Sequence, residues 1–114
     1  MDIKVLRNSE DIFILKPGGS LDLYSSYRIK ETVMKLIDKK VEGIIIDLGD
    51  VDKICSEGIG ALVNISSTLK KMSILLAMTN MNEPVLKTMK VTKLASYLPI
   101  ASDLREALEM IKPA

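Results

Sequence analysis

The run Val41-Glu42-Gly43-Ile44-Ile45-Ile46-Asp47-Leu48 constrains this chain more than any other feature. Three consecutive isoleucines leave no polar face, so a strand built from them must be covered on both sides. Such strands belong to largely parallel sheets, and parallel pairing needs crossover connections. The flanking sequence supplies them. Residues 21–40 (LDLYSSYRIKETVMKLIDKK) carry Ile29, Val33, Leu36 and Ile37 at helical spacing. Ile59, Leu62, Val63, Ser66 and Leu69 mark a second helix starting near Ser56.

The remaining segments extend the alternation. DIKVLR and DIFILK near the N-terminus are short β-rich runs, with NSED between them as a turn, which predicts a hairpin whose first strand is an antiparallel edge. Pro17 and two glycines in KPGGS stop the second run. GDVDKIC reads as a connection, and SILLAM as another buried strand. A third helix follows, with Asn82 as its cap and Pro84 tolerated in its first turn. SYLPI reads as a short strand. The last helix, SDLREALEMIK, places Leu104, Ala107, Leu108 and Ile111 on one face, and Asp103 with Glu106 resembles a capping box. The order β-β-α-β-α-β-α-β-α predicts an α/β fold, a mostly parallel mixed β-sheet with an antiparallel edge strand and four α-helices, in a single domain over residues 1–114.

Composition narrows the chemistry. Of the 114 residues, 47% are hydrophobic, enough for one real core. The formal net charge of +1 lacks the basic excess of a nucleic-acid binder. Histidine is absent, which removes the commonest general base and every Ser-His or Cys-His pair. A lone cysteine makes no internal disulfide and no structural zinc site. The N-terminus has no signal-peptide pattern, and no apolar run approaches the roughly 20 residues of a membrane span. The expectation is a cytoplasmic domain without a membrane partner. Seven methionines read as core filling, for example Met34, Met78 and Met89.

Asp50-Val51-Asp52-Lys53-Ile54-Cys55-Ser56-Glu57-Gly58-Ile59-Gly60-Ala61-Leu62 holds the functional question. Gly58 and Gly60 match G-x-G, but a third glycine, the tight turn after the strand and a later acidic residue are all missing. CSEGIG is not a nucleophile elbow, and neither Cys55 nor Ser56 has a histidine to activate it. Cys55 reads first as a small packed residue, with redox sensing as a minor alternative. Ser56 reads as a helix N-cap, and Glu57 as a first-turn charge favoured by the helix dipole. Gly58 and Gly60 each cost a helix interior roughly 1 kcal/mol relative to alanine. Two such losses in one turn point to a need for bare backbone that another chain could approach. Asp22 stands near the start of the first helix, where a carboxylate can cap it.

These residues resemble the STAS-domain family of anti-anti-sigma factors. IIIDLGDVDKICSEGIGALV is similar to the family's strand, DLS, connection and DSSGLGVL signature, with Asp47-Leu48-Gly49 on the first part and Ser56, Gly58, Ile59 and Gly60 on the second. GGSLDLYSS resembles the family's G-x-L-D, which places Asp22 on its aspartate. The resemblance covers the whole chain. It implies the STAS (anti-anti-sigma-like) fold and an anti-sigma factor antagonist, a non-enzymatic module needing no cofactor. Its implied partner is an anti-sigma factor that is also a serine kinase, so that binding frees a sigma factor. The resemblance further implies that phosphorylation at Ser56, with ATP as the kinase's own substrate, breaks the complex, and that a serine phosphatase restores it. The implied partner-binding residues are Asp22, Cys55, Ser56, Glu57, Gly58, Ile59 and Gly60.

Two positions depart from the family pattern. Cys55 replaces the aspartate before the serine, and Glu57 replaces the small residue after it. A permanent negative charge then sits beside the phosphorylation target. Two alternatives stay open: a phosphorylation-insensitive STAS scaffold subunit of a signalling assembly, and a STAS accessory domain of a transport system.

Overall fold

A computed structural model describes residues 2–9 and 11–112 of the chain. The elements run β1 (Ile3–Ser9), β2 (Ile12–Leu21), α1 (Leu23–Ile37), β3 (Gly43–Asp47), β4 (Asp50–Ile54), α2 (Ser56–Lys71), β5 (Leu75–Thr79) and α3 (Glu83–Thr92). A short 3-10 helix (Leu94–Tyr97) and α4 (Leu104–Met110) complete them. The turn expected between the first two strands includes Glu10, which lies outside the described residues.

The sheet has the order β1-β2-β3-β5, with β4 paired to β2. β1 pairs antiparallel to β2 at one edge, while the β2–β3, β2–β4 and β3–β5 pairs are all parallel. The isoleucine run behaves as its composition demands. Every residue of β3 is buried. Ile44 and Ile46 join the larger core, with Ile29 and Val33 of α1, Ile59 and Leu62 of α2, and Met89 of α3. Ile45 points the other way, into a smaller cluster with Ala77, Ala107 and Ile111 beneath α4. Each such isoleucine contributes roughly 1.5–3 kcal/mol by leaving water, so both faces must stay covered.

Several expectations are corrected. Pro17-Gly18-Gly19 does not end β2, which continues to Leu21. Pairing with β3 stops at Leu15, so Pro17 lies beyond the doubly paired part of the strand. Gly19 takes φ +97° where the register with β4 shifts, a bulge that only glycine adopts cheaply. The GDVDKIC connection contains a strand, β4. Its charged residues Asp50, Asp52 and Lys53 obscure it in sequence, but Val51 and Ile54 are buried, and its backbone pairs with the far end of β2. SYLPI is not a strand. The 3-10 helix occupies its start, and only an isolated bridge joins Met78 to Ile100 around Pro99. Met78 and Met89 fill the core as expected, whereas Met34 is 45% exposed on the outer side of α1. Leu104, in the first turn of α4, is also exposed, leaving Ala107, Leu108 and Ile111 as that helix's inward face. The Glu106 carboxylate accepts from the Ser102 hydroxyl at 2.7 Å, while the Asp103 side chain caps the Glu106 N–H at 2.8 Å.

No helix among the described residues is long and apolar enough to cross a membrane.

Candidate functional site

The geometry of the candidate site follows from β4. Leu21, the last residue of β2, is in register with Ile54, the last of β4. The next residue in each chain segment, Asp22 and Cys55, is the N-cap of α1 and of α2 respectively. Two helices therefore begin side by side and run in the same direction across one face of the sheet. The Leu21 carbonyl stitches them together by accepting the Cys55 N–H at 3.1 Å.

Asp22 caps α1 through a reciprocal box. Its Oδ1 accepts the Ser25 N–H at 2.9 Å, and its own N–H donates to Ser25 Oγ at 2.9 Å. The Ser25 hydroxyl also reaches the Ser20 carbonyl at 2.8 Å, tying the cap to β2. Hydrogen bonds from the Ser25 backbone, then from the Ser25 side chain, hold the Asp22 carboxyl below the ordinary aspartate range.

The start of α2 differs from the sequence expectation. Ser56 is the first helical residue, and the N-cap is Cys55, whose side chain makes no capping bond to the backbone. Ser56 is exposed, and its hydroxyl donates weakly to Glu57 Oε2 at 3.4 Å. Glu57 folds back over this turn. Its carboxyl is held below the usual glutamate range by a hydrogen bond from the Cys55 thiol first, then from its own N–H and the Ser56 hydroxyl. Cys55 is a half-buried free thiol. The Glu57 carboxylate lies in the first turn of α2, with its negative charge against the Ser56 hydroxyl.

The two glycines have different surroundings. Gly58 is buried against β2, where an added Cβ would lie 2.4 Å from the Leu21 carbonyl oxygen. Its bare backbone admits this chain's own strand rather than a partner. Gly60 is exposed, with nothing within 4 Å of an added Cβ. Ile59 is fully buried in the core and offers no surface. Of the residues implied by sequence, Asp22, Ser56, Glu57 and Gly60 reach the surface together, Cys55 reaches it partly, and Gly58 and Ile59 support it from below.

Asp47 has a structural part nearby. Its buried carboxylate accepts the Gly49 N–H at 2.9 Å and the Asn80 side-chain amide at 3.2 Å, clamping the ends of β3 and β5. Sequence reasoning also missed an apolar surface beside the site. Leu23, Tyr24 and Tyr27 on α1 are 53%, 85% and 61% exposed. The signal was present as Leu23, Tyr27 and Met34, spaced along a helix face to one side of the Ile29–Val33 stripe.

Comparison with known proteins matches this arrangement. The family model of the STAS domain matches residues 4–107. The chain is 29% identical over 104 residues to a protein of Thermotoga neapolitana named as a candidate anti-sigma factor antagonist, covering 90% of this chain and 92% of the relative. The crystal structure of a candidate anti-sigma factor antagonist from Thermotoga maritima superposes with a TM-score of 0.81 at 26% identity, covering 98% and 94% of the two chains. The anti-sigma factor antagonist SpoIIAA in its unphosphorylated form shares the fold, with a TM-score of 0.75 at 17% identity over 95% and 94%. The sheet order, the paired helix starts and the match over most of the chain lead to one assignment: this chain belongs to the STAS domain family.

Proposed function

We propose that this STAS domain is an anti-sigma factor antagonist, a binding module and not an enzyme, that sequesters an anti-sigma serine kinase in the cytoplasm and so frees a sigma factor. Phosphorylation of Ser56 switches it off, and a serine phosphatase switches it back. The observation that carries this reading is the exposed Ser56 hydroxyl at the first position of α2, beside the parallel start of α1 at Asp22. The relatives named as candidate antagonists support the partner class. A phosphate adds about −1.5 to −2 charge. Weakening a complex a hundredfold takes only about 2.7 kcal/mol, and an unpaired charge trapped at an interface supplies that much.

Glu57 gives the second reading its footing. Its carboxylate already places a negative charge in the first turn, against the Ser56 hydroxyl, which favours a scaffold subunit that binds without being phosphorylated.

One experiment separates the two. Each anti-sigma serine kinase of the source organism is purified, titrated against this chain by calorimetry, and incubated with it and ATP before intact-mass analysis. Binding together with one added phosphate, lost in Ser56→Ala, is the outcome expected for the switch. Binding with no phosphate selects the scaffold, and no binding to any kinase rejects the antagonist reading.

A further inference from the structure

The strip between α1 and α2 has the form of a helix seat. On α1 the outward residues Leu23, Tyr27, Lys30 and Met34 fall at i, i+4, i+7 and i+11, the spacing of a second seam in addition to the one that faces the core. On α2 Glu57, Ala61 and Asn64 fall at i, i+4 and i+7. Leu23, Tyr27 and Lys30 share a cavity of about 200 Å³ with those three α2 residues. It continues along α1 into a second hollow of about 440 Å³ at Tyr27, Lys30, Glu31, Met34 and Lys35. A small side chain at Ala61 and none at Gly60 keep the α2 wall low.

The charges along this strip are polarised. Asp22 and Glu57 lie at its head, where both helices begin. Lys35 stands in the last turn of α1, and Lys71 in the last turn of α2 on the same side as Glu57, Ala61 and Asn64. Lys30 lies midway, and Glu31 is the one carboxylate lining the hollow beside Lys30 and Lys35.

The geometry points to one occupant: an amphipathic helix of the anti-sigma kinase, lying antiparallel to α1 and α2 on the Leu23-Tyr27-Met34 seam. Its acidic N-terminal turn meets Lys35 and its basic C-terminal turn meets Asp22 and Glu57. Antiparallel placement also opposes its dipole to those of the two parallel helices. Aromatic and methionine side chains at the centre with charged residues at the ends fit the anatomy of an interface core and rim. A phosphate on Ser56 would bring excess negative charge and bulk to the head of the seat, where the partner's basic turn is already paired with Asp22 and Glu57 and the carbonyl end of its helix repels a further anion. This inference rests on the antagonist reading above and specifies how the partner docks.

The test uses the full chain and whichever kinase binds it. Tyr27→Glu and Met34→Glu change exposed side chains and are checked for unaltered melting. Tyr97→Glu, 69% exposed and beside Ser66 and Lys70 on the opposite face of α2, is the control. By calorimetry the two seam variants are expected to lose tenfold or more in affinity and the control less than threefold. A photo-crosslinker in place of Tyr27 is expected to capture a helical peptide of the kinase. Full affinity in the Tyr27→Glu protein, an equal loss in the control, or crosslinks only to a strand or loop overturns the seat while leaving the antagonist reading intact. Failure of every kinase to bind the unaltered chain overturns both.

Discussion

Gly58 lies so close to Leu21 that a Cβ at position 58 would stand 2.4 Å from the Leu21 carbonyl oxygen. That oxygen also accepts the Cys55 N–H, so it cannot retreat without loosening the N-cap of α2. Gly58→Ala is expected to destabilise the fold by about 1–3 kcal/mol, the range of an overpacked contact. Gly60→Ala meets open space and is expected to stabilise by up to roughly 1 kcal/mol, the helix-propensity difference. Urea denaturation of the two variants measures both. Equal shifts in the same direction would contradict the packing described.

Asn82 joins two elements. Its Oδ1 caps α3 by accepting the Val85 N–H at 3.1 Å, and its amide donates to the Val51 carbonyl of β4 at 2.6 Å. Asn82→Ala is expected to cost about 1–2 kcal/mol, the upper range for a lost cap. Asn82→Asp keeps the acceptor but loses the donor, so its midpoint should lie between those of Asn82→Ala and the unaltered protein.

Thr79 is fully buried at the end of β5, and its hydroxyl has no hydrogen-bond partner among the described residues. An unmet buried polar group costs about 1–3 kcal/mol. Thr79→Val replaces the hydroxyl with a methyl group of similar size. It is expected to raise the unfolding free energy by roughly 1 kcal/mol, read from the denaturation midpoint at constant slope. A lower midpoint would show that the hydroxyl is satisfied.

On the proposed switch, a phosphate on Ser56 would share the first turn of α2 with the Glu57 carboxylate. Glu57→Gln removes that charge. The variant is expected to be phosphorylated at Ser56 faster by the same kinase, followed as kcat/KM by intact mass. An unchanged rate would separate Glu57 from control of the switch.

The carboxyls of Asp22 and Glu57 both titrate below their ordinary ranges. A lowered folded-state pKa stabilises the fold at pH values above the unfolded pKa, and the gain is lost as pH falls through the folded value. The starts of α1 and α2 are therefore expected to loosen in acid and to stay intact at neutral pH. Carboxyl-carbon NMR shifts of the two side chains over a pH titration check this. Midpoints at or above the ordinary aspartate and glutamate values would refute it.

Much of the fold was legible because its signals are local. The Ile44-Ile45-Ile46 run announced a doubly covered strand. The 3.6-residue spacing of Ile29, Val33 and Leu36 announced α1, and Asn82 and Asp103 capped the helices they precede. The candidate site was legible as a motif around Ser56, but its placement was not. Ser56 reads as a cap in sequence, yet Cys55 takes that place, because the Leu21 carbonyl draws the Cys55 N–H into line with the end of β2.

What the sequence by itself determined was the identity and order of the helices and buried strands, since periodicity and capping act between residues a few positions apart. Tertiary structure alone decided that charged Asp50, Asp52 and Lys53 sit in a strand, and that Gly58 is packed while Gly60 is open. It also set the starts of α1 and α2 side by side. Those outcomes depend on the backbone pairing of β4 with the far end of β2, a contact between segments distant in the chain that no local pattern encodes.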